Sequence, residues 1–173
     1  AEQMAAITAK ALGCKADGVL VASSVVIGVS LPMAQMEAGL QHVVSELSET
    51  GSELAGNAII TTDTYSKACS TEVEIGGKKV RFGAIAKGSG MIQPNMATML
   101  CFITTDAAID SKLLQAALSD IVETSFNMIS IDGDMSTNDM AIVLANGAAG
   151  NAKITAKNDD YAVFYAALKS ICE

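Results

Sequence analysis

The stretch Thr71-Glu72-Val73-Glu74-Ile75-Gly76-Gly77-Lys78-Lys79-Val80-Arg81-Phe82 alternates apolar and polar residues on both sides of a glycine pair. A period of two bounded by Gly-Gly predicts two antiparallel strands joined by a tight turn. Elsewhere helical and strand patterns follow one another along the chain, which taken alone would suggest a parallel α/β arrangement. The hairpin makes the sheet mixed, so the expected class is α/β: layers with a mixed rather than a purely parallel sheet.

Downstream, the second strand delivers the chain to Lys87-Gly-Ser-Gly-Met-Ile-Gln-Pro94-Asn-Met-Ala97-Thr98-Met-Leu-Cys101-Phe-Ile103. Gly88 and Gly90 permit unusual backbone angles, Pro94 fixes its own φ, and the small Ala97 leaves room beside the Ala97-Thr98 bond. This layout can present a backbone carbonyl to a hydroxyl. A buried strand threonine is the plainer reading of Thr98. Lys87-Gly-Ser-Gly is no phosphate loop, because its lysine precedes the glycines and the Gly-x-x-x-x-Gly-Lys-Ser/Thr spacing is absent. Lys87 by itself reads equally as an exposed loop lysine.

Strand character resumes from Met99 to Thr104. Asp110 or Ser111 then caps a helix whose apolar face is Leu114, Leu118, Ile121, Val122 and Phe126. Ile129 to Ile131 reads as a short strand leading to Asp132-Gly-Asp134-Met-Ser136-Thr-Asn138-Asp139. Its opening spacing is that of a calcium loop, but position six is Thr137 and position twelve is Val143, where glycine and glutamate belong. Met140 to Ala145 is a further buried strand closed by Asn146-Gly147. Tyr161, Phe164, Leu168 and Ile171 mark a final helix that reaches Glu173 without a stop signal.

Upstream, Thr61-Thr62-Asp63-Thr64 is a polar turn in which an Asp or Thr side chain bonds nearby backbone. Residues 2 to 12 form a helix ended by Gly13, with no recognisable N-cap. Val19 to Val29 suggests a strand entering a loop, and residues 32 to 49, begun by Pro32, a second helix. The only histidine, His42, falls on that helix and reads as a surface or structural residue rather than a catalytic one, which leaves a Ser-His-Asp mechanism without an obvious base.

The 173 residues suit one domain, and a half-apolar composition with nine Met and no Trp describes an aliphatic packed core. A net charge of −8 and the lack of a basic stripe argue against nucleic acid as a partner. Gly18 to Leu31 is broken by Ser23, Ser24, Gly28 and Ser30 and is too short to span a bilayer. The first residues lack the basic-then-apolar pattern of a secretory signal. Cys14, Cys69, Cys101 and Cys172 show no Cys-x-x-Cys pair, which argues against zinc and for reduced thiols of a cytoplasmic protein.

Taken together, Lys87 to Leu100, Thr61 to Thr64 and Asp132 to Asp139 resemble the ornithine acetyltransferase family of bifunctional arginine-biosynthesis enzymes, the glutamate N-acetyltransferases. The likeness runs through essentially the whole chain. It implies a self-cleaving, N-terminal-threonine acyltransferase cut between Ala97 and Thr98. The resemblance also implies a mixed-sheet layered sandwich with flanking helices, and that the chain is a single α/β domain incomplete relative to the family, with 1–97 ending the α-chain portion and 98–173 beginning the β-chain portion. An N-to-O acyl shift followed by hydrolysis would free a Thr98 amine with a pKa of roughly 7.7 to 8.0, suited to act as base for the adjacent hydroxyl.

The resemblance further implies an acetyl group carried from N-acetylornithine through Thr98 to glutamate. No bound cofactor or metal is expected, and use of acetyl-coenzyme A as a donor stays open. Thr64, Lys87 and Thr98 become substrate-contacting, Lys87 as the charge partner of a carboxylate. Ser24 and Val25 stand where the family has a Thr-Gly oxyanion pair, so the hydroxyl survives and the glycine does not. Met135 stands where the family has Thr, while Asn138 and Asp139 are expected to brace the active-site turn. The family's α and β chains assemble as a heterotetramer. Two other readings remain: an uncleaved fragment with a structural or assembly role, and a related N-terminal-nucleophile amidohydrolase.

Overall fold

The hairpin forms where its glycines lie. Strands β1 (Lys67–Ile75) and β2 (Lys78–Lys87) pair antiparallel in a register that sets Ile75 against Lys78 and Val73 against Val80. Gly76 and Gly77 both hold positive φ, 56° and 71°, the backbone that a two-residue hairpin loop demands. Both strands extend beyond the alternating stretch.

The computed structural model describes residues 1–24, 28–90, 99–134 and 136–173. They divide into two compact units, 1–52 and 53–173. In the larger unit β2 also pairs antiparallel with β3 (Leu100–Thr105), which pairs in parallel with β4 (Met140–Ala145). The sheet order is β1-β2-β3-β4. A parallel neighbour requires a crossover, and the helix Ser111–Glu123 lies in it, N-capped by Asp110 Oδ1, which accepts from Lys112 N at 2.9 Å. The mixed α/β class is therefore the one that the sequence predicts.

One face of the sheet carries the core. Val80 and Phe82 of β2, Ile75 of β1 and Cys101 and Ile103 of β3 are buried together with Ile121 of the 111–123 helix. The last helix, Asp159–Cys172, lies across β1 and β2 and adds Tyr161, Phe164, Leu168 and Ile171. Phe82 and Phe164 meet ring to ring at 5.3 Å. Each such fully buried side chain contributes roughly 1.5 to 3 kcal/mol, so the hairpin and the last helix stabilise one another. Asn158 caps that helix by accepting from Tyr161 N at 3.0 Å.

Two parts of the sequence reading need correction here. Ile129 to Ile131 forms no regular strand: a brief 3-10 turn, Phe126–Met128, precedes it, Ile129 and Ile131 are exposed, and only a bridge begins at Ile131. A helix over Ser52–Ile59 was not anticipated, although Thr50-x-x-Glu53 has capping-box spacing. Its buried Gly56 sits so close that a Cβ there would lie 3.6 Å from Ile85 Cγ2 of β2, on the sheet face opposite Phe82.

The smaller unit contains the helices Glu2–Leu12, ended by Gly13, and Met33–Ser45, shorter than the expected 32–49. Residues 19–24, expected as strand, pair with no neighbour among the described residues, and β-branched sequence without a ladder partner stays irregular. His42 is exposed on the second of these helices, as its reading as a surface residue requires. Among the described residues no helix is long and apolar enough to cross a membrane.

Candidate active site

The connection from β2 to β3 leaves the sheet at Lys87 and returns at Leu100, and these two residues face one another in the ladder. Both ends of the connection are held by carboxylates from elsewhere in the chain. At the departing end Asp63 Oδ1 accepts from Gly88 N at 2.8 Å. At the returning end Asp139 Oδ1 accepts from Met99 N at 2.5 Å. Gly88 has φ 153°, which favours glycine at the point where the chain turns off the strand.

Asp63 is saturated. Its side chain is 0% exposed, and besides Gly88 it accepts from Lys67 Nζ at 2.6 Å and from Thr61 N at 3.4 Å. Burial works to raise its pKa, yet the Lys67 ammonium and the two amides outweigh burial and hold it at about 2. The polar-turn reading of Thr61 to Thr64 is thus correct for Asp63. The turn also reaches the connection through a 2.7 Å hydroxyl contact between Thr62 and Ser89.

Asp139 is different. Its Oδ2 is buried and has no hydrogen-bond partner among the described residues. Burial pushes its pKa up, against the pull of the Met99 N–H and of the Lys87 charge. The expectation that Asp139 braces the turn is met at Met99, whereas Asn138 contributes its backbone N–H to Ser136 Oγ at 3.1 Å.

Lys87 is not an exposed loop lysine. It is the last residue of β2, only 6% exposed, and its Nζ donates to Thr61 Oγ1 at 3.4 Å. Strand alternation sets it on the face opposite Phe82, where Ile85 also lies. On the far side, a Cβ at Gly90 would come within 3.6 Å of Asp132 Oδ2. The structure therefore gathers stretches 61–64, 87–90 and 132–139, which are far apart in sequence, around the start and end of one connection. Asp132 has φ 60° and accepts from Asp134 N at 3.3 Å, a local turn bond.

Among the other residues expected at the site, Thr64 is exposed. Ala97, Thr98, Val25 and Met135 lie outside the described residues. Ser24 is half-buried and belongs to the smaller unit. The thiols offer no alternative nucleophile in the larger unit: burial pushes Cys101 up to about 12 and Cys172 to about 11, and raises Cys69 as well. A low-pKa thiolate would be needed for such a role. Among the described residues no group of His, Cys, Asp and Glu is arranged to hold a metal ion. An open depression beside Ser70, Glu72, Arg81 and Thr104 contains none of the expected site residues, and Glu72 there is paired with Lys79 at 2.9 Å and Arg81 at 3.0 Å.

Sequence reasoning missed Lys67 and Ser89 as members of this cluster. Their signal is weak, since Lys67 is spaced i,i+4 from Asp63 without a helix to bring them together.

The family model for the ArgJ family matches residues 1–173. The arginine biosynthesis bifunctional protein ArgJ of Symbiobacterium thermophilum is 51% identical over 171 residues, covering 99% of this chain and 42% of that protein. The protein of the same name from Geobacillus stearothermophilus is 48% identical over 173 residues, again 42% of its length. A crystal structure of arginine biosynthesis bifunctional protein argJ from Bacillus halodurans aligns with 40% of this chain and 32% of its own, at 51% identity and a TM-score of 0.38. The chain spans about two fifths of the length of the curated relatives it matches.

Proposed function

The chain belongs to the ArgJ family, and on that premise we propose that it supplies the self-cleaving nucleophile segment of an acetyltransferase. Thr98 Oγ attacks the Ala97 carbonyl, the acyl group shifts from nitrogen to oxygen, and water hydrolyses the ester. The freed α-amine then takes the proton of its own hydroxyl, which attacks the acetyl carbonyl of N-acetylornithine. Ornithine leaves, glutamate accepts the acetyl group, and the covalent intermediate makes the kinetics ping-pong. Lys87 holds a substrate carboxylate, Thr64 contacts substrate, and the Ser24 hydroxyl with the Val25 amide serves the oxyanion. Acetyl-coenzyme A is a further candidate donor. The two pieces stay associated as the α and β chains of a heterotetramer in the cytoplasm.

The observation that supports this reading is the connection gripped at both ends by Asp63 and Asp139, with the buried Lys87 at its root. A segment that must present one peptide bond to one hydroxyl needs fixed ends, because misplacement by about 1 Å can cost a hundredfold in rate.

Intact mass of the full-length polypeptide tests it. Two pieces split between Ala97 and Thr98 are expected. Thr98→Ala should remain whole and lose acetyl transfer completely, while Thr98→Ser keeps some cutting. Undiminished fragments from the alanine variant would assign the cut to an outside protease and end this reading.

A further inference from the structure

Three successive side chains of the 61–64 turn each hold one residue at the root of the β2–β3 connection. Thr61 Oγ1 accepts from Lys87 Nζ at 3.4 Å, Asp63 Oδ1 accepts from Gly88 N at 2.8 Å, and the Thr62 and Ser89 hydroxyls share a 2.7 Å bond. The bonds of Thr62 and Asp63 fix the path of the chain. The bond of Thr61 instead aims a buried cation. An ammonium has three donors, and among the described residues the acceptor held by Lys87 Nζ is this one hydroxyl. Two N–H groups are left for a further acceptor.

A rival acceptor stands nearby. Lys87 pairs with Leu100 and Leu100 with Met140, so Asp139, one residue ahead of Met140, is two strand spacings, about 10 Å, from Lys87 backbone to backbone. An extended lysine and an aspartate side chain together span that gap. Asp139 Oδ2 is buried without a hydrogen-bond partner among the described residues, and the Lys87 charge acts on this carboxyl. Opposite charges within reach, each short of partners, attract strongly where water is excluded. Yet Lys87 Nζ rests on Thr61, and Asp139 Oδ2 is left without that bond.

We propose that Thr61 is a positioning residue whose hydroxyl holds the Lys87 ammonium away from Asp139 and so keeps it open to a substrate carboxylate. The inference rests on the reading of Lys87 as the residue that holds that carboxylate. A lysine closed on Asp139 would be neutralised and would draw no second anion. Asp63 is no rival, since Lys67 pairs with it at 2.6 Å. The long Thr61 bond does not act alone: Asp63 Oδ2 accepts from Thr61 N at 3.4 Å, which ties Thr61 to the two shorter bonds of the turn.

The test uses the full-length protein, with activity expressed per cleaved chain as counted by intact mass. Thr61→Val keeps the volume of the side chain and removes the acceptor. KM for N-acetylornithine should rise about tenfold, the effect of losing a hydrogen bond to a charged group, while kcat changes little. Thr61→Ser restores the hydroxyl and should return KM to near the wild-type value. Adding Asp139→Asn to Thr61→Val removes the rival anion, keeps an acceptor for Met99 N–H, and should recover most of the lost affinity. A crystal structure of Thr61→Val should show Lys87 Nζ paired with Asp139 Oδ2. A Thr61 that only supports the turn predicts a loss that Asp139→Asn does not recover. That result overturns the proposal, as does an unchanged KM in Thr61→Val or an unmoved Lys87 in its structure. An unchanged KM in Lys87→Ala instead removes the reading of Lys87 on which the proposal stands, and the variant structure still decides where Thr61 holds the ammonium.

Discussion

Two connections in one sheet join antiparallel neighbours by opposite means. The β1–β2 link is Gly76-Gly77, closed by its own backbone angles, with an exposed bond from Gly76 N to Asp160 Oδ1 at 3.1 Å. The β2–β3 link runs from Gly88 to Met99 and is fixed at each end by a carboxylate from a distant part of the chain. A tight turn is specified locally, because two positive φ values leave little else to decide. A long connection has many conformations, and only bonds from outside it select one. The second kind of link suits a segment that does chemistry, since its geometry is set by groups that can also act.

The comparison breaks most severely at Asp63. Asp63→Ala leaves the Lys67 ammonium and the Gly88 amide without their acceptor. Removing one partner of a buried pair costs roughly 3 to 5 kcal/mol, and the part exposure of Lys67 brings the expected loss to about 3 kcal/mol. Thermal unfolding of the full-length protein should show it, accompanied by slower self-cleavage. An unchanged midpoint would mean that the departing end is held by something other than Asp63.

A smaller effect follows from the same carboxylate in acid. Its folded pKa, about 2, lies below the usual value of 3.8, so its contribution is fully present above about pH 4 and is lost as pH falls toward 2. Nearly two pKa units correspond to about 2 kcal/mol. Unfolding monitored from pH 5 to pH 2 should include this loss, and the same titration of Asp63→Asn should lack it.

The local link should respond least. Gly77 has φ 71° and open space where a Cβ would point, so Gly77→Ala meets no clash and pays only for the left-handed backbone, about 1 kcal/mol. A loss as large as that of Asp63→Ala would show that the turn, too, depends on tertiary contacts, through Gly76 and Asp160.

Local chemistry made the hairpin, the Asp110 cap and the amphipathic faces of the 111–123 and 159–172 helices readable from sequence. In each, one residue type or one period fixes the backbone. Ile129 to Ile131 failed by the same measure, for a short apolar run becomes a regular strand only if a neighbour offers an extended ladder, and here pairing amounts to a bridge that begins at Ile131. Lys87 shows a different limit: a lysine beside two glycines looks exposed in sequence, and it is buried because the 61–64 turn folds over the end of β2.

The sequence by itself determined the mixed α/β class, the hairpin and the family to which the chain belongs, since those depend on periodicity, turn chemistry and motif spacing. Only the tertiary structure decided that Asp63 and Asp139 hold the two ends of one connection, and that the first is saturated while the second keeps an oxygen with no partner among the described residues. Those properties arise from which donors burial brings within 3 Å of each carboxylate, and residues 25 and 40 positions apart in the chain carry no local signal of that distance.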